Sequence, residues 1–310
     1  MAYDIYCNKG EIVMENNPFR GCTVTDIHHA HVLLTGIPYD EGCSCGSGAR
    51  LAPQTMRELS SFLPPLSKDG MLLNSIQLYD TGDIKKQDSS YFEHIEKESL
   101  KRFLTNKFPI FLGGDHSITI PLQRSFYQYC QNIKKIPVII HLDAHPDICD
   151  EYDQSKYSHA CTNFRSLEYG YLPEHLHLIG VRGFELQEVQ YLNQHPEIHV
   201  YTATKILKEG IQPIIEQLKA MYDDRYAIYL SYDIDINDPA YAVGTGTPEA
   251  FGLPSIMVLE LIIELFKNLP IAAFDIVEVS PSLDCNNMTS WLALKTLYEV
   301  FAVLIQKYHW

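Results

Sequence analysis

The stretch "PVIIHLDAHPD", residues 137–147, runs from an apolar segment straight into alternating acids and imidazoles. Its first half reads as a buried strand, and in an extended chain alternate side chains face the same way. Asp143, His145 and Asp147 therefore converge on one point just beyond the strand. Two carboxylates brought together in a partly dry site require proton sharing, a basic partner or a bound cation. The remedy depends on what other segments bring to the same edge.

Short apolar runs at 31–37, 75–78, 109–112, 138–142, 176–181, 226–230 and 271–277 read as strands, nearly all without charge. Continuous apolar runs of this length suit parallel strands covered on both faces. Helical patterns at 53–62, 91–104, 118–130, 186–193, 211–221, 255–266 and 290–306 alternate with them. That alternation predicts an α/β fold with a doubly wound parallel sheet. No internal repeat, low-complexity segment or Pro/Gly/Ser-rich linker interrupts it, so the expectation is one domain with an N-terminal extension of roughly 25 residues.

Ligands in such sheets bind beyond the carboxyl ends of the strands. Four apolar runs end in polar clusters there: Gly113-Gly114-Asp115-His116-Ser117, Asp143-Ala144-His145-Pro146-Asp147, Asp233-Ile234-Asp235 and Glu278. The glycine pair is expected to let the backbone turn sharply and aim His116 back at the edge. His116, Asp143, His145, Asp147, Asp233 and Asp235 bring four carboxylates and two imidazoles, with no Lys or Arg inside the motifs. Two divalent cations would balance that charge, whereas four acids sharing protons at neutral pH would not. Oxygen and nitrogen donors without thiolate suit manganese, magnesium or iron, and the histidines favour manganese over magnesium. Six residues hold two ions only if some carboxylates bridge, which places the ions roughly 3.5 Å apart and lets a shared water ionise near neutral pH.

Composition excludes several alternatives. The 310 residues are 46% hydrophobic, enough for a large core. The 24 basic and 39 acidic residues give a net charge of −15, with no basic run to track a phosphate backbone, so nucleic acid is not an expected partner. The N-terminal residues lack a signal-peptide pattern, and the most apolar late segment, 291–305, is interrupted by Lys295 and Glu299. A cytoplasmic protein without membrane contact is expected. Eight cysteines with no CxxC pair read as reduced thiols.

"GGDHS" at 113–117, "DAHPD" at 143–147, "SYDIDINDPAYAVGTGTPE" at 231–249 and "DIVEVSP" at 275–281 resemble the signature segments of the ureohydrolase family, which includes arginase, agmatinase and formimidoylglutamase. "YDEGCSCGSGARLAPQTMREL" at 39–59 is similar to the family's early Gly-rich segment, so the likeness spans most of the chain. The resemblance implies a three-layer α/β/α arginase-like fold and a hydrolase with two Mn²⁺ ions that releases urea from a guanidino compound. It implies that His116 and Asp147 ligate one ion, His145 and Asp235 the other, and that Asp143 and Asp233 bridge. It implies that Glu278 pairs with the substrate's guanidinium and that His159 in "YSHAC" shuttles protons; Asp147, at the metal edge, is expected to carry a proton to the leaving amine. A homo-oligomer, trimeric or hexameric, is implied as well.

The sequence departs from the family pattern at Ala160 and Cys161, where Gly usually follows the histidine, at "SCGSGAR", and at Val243, where Pro often stands. None of these is a metal ligand; they bear on substrate. The loop 148–160 carries Asp150, Glu151 and Asp153 against Lys156. An acidic rim attracts an ammonium tail and repels a carboxylate one. Agmatine, yielding putrescine, is therefore expected over arginine, guanidinobutyrate and formimidoylglutamate. A single-zinc deacetylase of the same layered fold needs fewer ligands and would leave the second Asp-x-Asp, Asp233 and Asp235, and Glu278 surplus, and a catalytically silent relative would have no need of the full donor set. "HHAH" at 28–31, the Gly-rich 46–51 and 244–252, Asp238 before Pro239, and Cys149 and Cys161 are read as structural.

Overall fold

A computed structural model describes residues 19–86 and 91–310; most of the expected N-terminal extension lies outside the described residues. The strands are β1 (Val32–Gly36), β2 (Leu78–Asp83), β3 (Phe108–Leu112), β4 (Ile136–Leu142), β5 (Leu176–Val181), β6 (His199–Thr202), β7 (Tyr226–Asp233) and β8 (Ile271–Val277). The helices are α1 (Ala52–Ser60), α2 (Tyr91–Phe103), α3 (Thr119–Ile133), α4 (Thr162–Tyr169), α5 (Leu186–Gln194), α6 (Ala203–Glu209), α7 (Gln212–Met221), α8 (Ser255–Asn268) and α9 (Met288–Tyr308). The strands form one sheet in the order β2-β1-β3-β8-β7-β4-β5-β6, every neighbouring pair parallel.

Why the strands read as unbroken apolar runs is plain from their two faces. On β7, Ile228, Leu230 and Tyr232 enter a core shared with α7, α8 and α9, while Ala227 and Tyr229 enter a second core with Phe103 of α2 and Leu122 and Phe126 of α3. Both faces are dry, so alternation between apolar and polar residues has no place there. The result is the expected three-layer α/β/α arrangement.

Two strands depart from expectation, and both lie at edges. The run at 75–78 forms only the approach to β2, whose own sequence "LYDTGD" is polar, and β6, "HVYT", carries no apolar signal. An edge strand is covered less completely than a central one, so it does not need an apolar run. Helices α4 and α6 span 8 and 7 residues, about two turns, too short to display a period. Helix α9 is long and apolar enough by length and composition to cross a membrane despite Lys295 and Glu299, yet 72% of its apolar window is buried in the core, between α1 and α8.

The order of the sheet matters for function. Strands β3, β8, β7 and β4, whose ends carry the four polar clusters, are consecutive neighbours at its centre. Their carboxyl ends therefore lie side by side.

Candidate metal centre

The centre is built from backbone outward. Asp143 accepts His145 N–H at 2.6 Å, Asp233 accepts Asp235 N–H at 2.9 Å, and Asp235 accepts Ala144 N–H at 3.1 Å, each through Oδ1. One oxygen of each carboxylate is thereby anchored and the other is turned to the centre. His116 Nδ1 lies 2.9, 3.2 and 3.0 Å from Oδ2 of Asp143, Asp147 and Asp233, and His145 Nδ1 lies 3.2 Å from Oδ2 of Asp235 and 3.4 Å from Oδ1 of Asp143. All six residues expected from sequence thus meet at one edge, and Asp143 is common to two donor groups: His116, His141, Asp143 and Asp147, and Asp143, His145 and Asp235.

His141 is the residue the sequence reading passed over. Its Nε2 stands 2.9 Å from Asp143 Oδ2, and its ring stacks on that of His116 at 4.5 Å. The signal was available: His141 precedes Asp143 by two residues, in the same alternation that links Asp143, His145 and Asp147.

One nitrogen of His116 is committed as a donor. Ser231 Oγ donates to Asp275 Oδ1 at 2.7 Å, so it accepts from His116 Nε2–H at 2.8 Å. Asp275 also accepts from the hydroxyls of Thr119 and Tyr229, both at 2.7 Å. Nδ1 faces the carboxylates, in hydrogen-bond contact with Asp233 Oδ2 at 3.0 Å, and is the nitrogen that would give its lone pair to a metal in place of that proton.

The electrostatics identify the missing charge. Removing a carboxylate from water costs several kcal/mol, whereas one charged hydrogen bond contributes about 1.5–3 kcal/mol. Burial, then the charge of Asp143, pushes Asp147 well above the carboxylate range; burial, then Asp235 and Asp143, does the same to Asp233. Burial alone would lower His116, but Asp143 and Asp147 raise it to about 10, and Asp235 with Asp143 likewise raises His145. Burial would raise Asp143 too, yet His141, His116 and His145 hold it well below its ordinary value. The cluster on its own must take up protons. Moreover, Asp143 Oδ2 sits 2.9 Å from both His116 Nδ1 and His141 Nε2 without forming an aligned hydrogen bond to either. Close donor atoms that are not aimed at one another fit a common cation between them, and their oxygen and nitrogen character fits a divalent metal.

A pH dependence follows. Asp147, Asp233, His116 and His145 bind protons more tightly folded than unfolded, so the stability they contribute to the metal-free protein is lost as pH rises; for His116 this spans its ordinary value to about 10. Asp143 acts oppositely, but only below its ordinary carboxylate range. Thermal unfolding with and without a chelator is expected to show a gap that widens from pH 6 to pH 9, with metal at a hundredfold over its Kd adding about 2.7 kcal/mol. A gap that narrows over that range would contradict the balance of charges described here.

Beside this cluster stands Glu278, at the end of β8. Its φ of 62° is in the left-handed region, as is the 50° of Asp147, a conformation costing about 1–3 kcal/mol that persists where surroundings enforce it. Glu278 N–H donates to Gly114 O at 2.9 Å, while its Oε1 accepts His116 N–H at 2.8 Å and His159 Nδ1–H at 3.1 Å. Oε2 is buried without a partner and faces Gly246. His159 Nε2 accepts from Ser44 Oγ at 2.8 Å. Burial would lower His159, but Glu278 raises it. Ser44 comes from the Gly-rich segment, whose fold onto His159 no local pattern foretold.

The glycine pair serves a purpose other than a turn. A Cβ at Gly114 would lie 1.6 Å from Tyr39 O, so this residue is glycine because the 39–48 segment passes against it. Asp115 caps the following turn through Ser117 N–H and ties down Gly42 N–H at 2.7 Å; burial and then Glu278 raise it to about 7. Asp238 caps its own turn through Ala240 and Gly252, the thiols of Cys149 and Cys161 are buried and raised by that burial, and His28 and His29 lie on a short exposed turn away from the cluster.

Comparison with known proteins agrees with this geometry. The profile of the arginase family matches residues 30–302. Guanidinobutyrase of Pseudomonas aeruginosa is 31% identical over 279 residues, covering 87% of this chain and 85% of the relative. The human mitochondrial guanidino acid hydrolase is 33% identical over 280 residues, covering 87% of this chain and 77% of the relative. The crystal structure of agmatine ureohydrolase of Thermoplasma volcanium is 30% identical, with a TM-score of 0.83 over 96% of this chain and 97% of that one. With the family's profile running from before β1 into α9 and a His/Asp cluster at the sheet's central edge, this chain belongs to the arginase family and is a hydrolase of guanidino carbon–nitrogen bonds.

Proposed function

We propose that this chain hydrolyses agmatine to urea and putrescine, and that it does so with two manganese ions. His116 and Asp147 would hold one ion, His145 and Asp235 the other, with Asp143 and Asp233 shared and His141 supporting Asp143. When bound, the ions supply Lewis-acid polarisation and a source of hydroxide at neutral pH. The observation that carries the reading is Glu278 Oε2, a buried carboxylate oxygen without a partner, beside the cluster. A planar guanidinium is the group that fills such a position with paired N–H donors. Glu278 then orients the reacting carbon, and His159, between Glu278 and Ser44, holds a proton near the leaving amine. Asp147, raised by burial, is a second group able to hold and give up a proton.

The choice of tail rests on charge at the mouth. The acidic rim is smaller than the sequence suggested, because Asp150 is taken by Arg165 and approached by Lys156 at 3.8 Å. What supports an ammonium tail is the engagement of the nearby cations: Arg50 pairs with Asp40, Lys86 with Glu41, and Arg182 spends its donors on the carbonyls of Asp235, Glu249 and Ala250. A guanidino acid is the second reading, favoured by Lys156, whose ammonium is half exposed and whose neighbour Asp150 already has Arg165. Product release from the manganese-loaded protein with agmatine, arginine, guanidinobutyrate and formimidoylglutamate decides between them. Agmatine is expected to lead by about tenfold or more in kcat/KM, because a like-charge contact costs more than 1.4 kcal/mol. A carboxylate-tailed substrate turning over best would reject the agmatine reading. The seven free cysteines among the described residues support a reducing, cytoplasmic setting.

A further inference from the structure

The opposite end of the sheet holds a second concavity. A cavity of about 560 Å³ opens among the starts of β1, β3, β4 and β8, the segment before β7 and the end of α9. This volume is within the range of small-molecule sites. It shares no residue with the metal centre, which lies beyond the strands' carboxyl ends.

Its charge runs against the rest of the chain. In a protein of net charge −15, Lys107, Lys135, Lys267 and Lys307 all line this one cavity. The acids on the wall are Asp223 and Asp224, and Asp223 is already paired with Arg225 at 2.9 Å. Glu264 engages Lys267 at 3.0 Å. Two of the ammonium groups are fixed in place: Lys307 donates to the carbonyls of Phe266 and Leu269 at 2.8 and 2.6 Å, and Lys107 to that of His28 at 2.9 Å. A lysine has three N–H donors, so each keeps at least one for a ligand, with its side chain already ordered. Burial lowers Lys307 and the charge of Asp224 offsets only part of that, so an added anion would relieve the remainder. One wall is a stack of rings, His31 on Trp310 at 4.4 Å and Trp310 on Tyr308 at 4.9 Å.

We propose that this cavity is a binding site for a multivalent anion of the di- or triphosphate class, held by Lys107, Lys135, Lys267 and Lys307. Two sources share that chemistry, a free inorganic polyphosphate and a nucleoside-borne one. The substrate chemistry of the metal centre is cationic, so the two sites select opposite charges.

Trp310 is a reporter already in the wall. In the metal-loaded protein with Trp291→Phe, titration with inorganic triphosphate and, separately, with adenosine triphosphate is expected to change Trp310 emission saturably, with a midpoint below about 1 mM that rises with salt. Equal midpoints assign recognition to the phosphates alone; a lower midpoint for the nucleotide assigns a contribution to the rings. Lys135→Glu combined with Lys267→Glu, one partly buried and one exposed, is expected to weaken binding at least tenfold while guanidino turnover, measured without the anion, stays as before. Lys307→Met is the independent check from the buried side. No saturation with either probe, or a midpoint unmoved by both sets of substitutions, would overturn the site.

Discussion

Asp143→Ala is expected to lose both its bound metal and its turnover while keeping its fold. Asp143 is the one residue common to the two donor groups, and it is fully buried between His116, His141 and His145. Replacing a partner that merely supports a metal ligand costs roughly 10–100-fold in affinity, and loss of a shared ligand must cost more. Elemental analysis after dialysis reads the metal, and circular dichroism the fold. The variant also strips three imidazoles of their common carboxylate, so His116 and His145 are expected to titrate at lower pH. A variant that retained two metals per chain would show that Asp143 is not shared.

Glu278→Gln separates binding of metal from binding of substrate. The amide oxygen can still accept His116 N–H and His159 Nδ1–H, and no member of the His/Asp cluster is altered. What changes is the buried oxygen without a partner, which becomes an NH₂ facing the guanidinium's own N–H groups. Removing one preorganised electrostatic contact of this kind costs about 10²–10³-fold in turnover. Metal content is expected to stay at the parent level. Kinetics within a few fold of the parent would sink the role given to Glu278, and loss of metal together with turnover would place Glu278 in the metal shell.

These two substitutions act on residues of different legibility. Asp143 is marked by its own neighbours, because the alternation of 141, 143, 145 and 147 along an extended chain states a shared face. Glu278 is marked only by its place after an apolar run. The positive φ that fixes it, and the Gly114 carbonyl that receives its N–H, come from contacts between β8 and the loop after β3. Ser44 is marked by nothing local. It reaches His159 because the 39–48 segment is drawn across the edge by Asp115, over a separation of 115 residues from the histidine.

By itself, the sequence marked the layered α/β class, the central strands and six of the seven residues that meet in the cluster, His141 being the seventh. Those features depend on short-range physics: apolar runs covered on both faces, and a period of two that holds within each segment. Tertiary structure alone decided which strand ends adjoin. The chain meets its motifs after β3, β4, β7 and β8, but β7 and β8 insert between β3 and β4, and only that order sets Asp233 beside Asp143 and Glu278 beside His116. It also decided the edge strands, whose polar sequences take their conformation from β1 and β5. Pairing partners far apart in the chain are chosen by the packing of both sheet faces at once, and no local pattern encodes that choice.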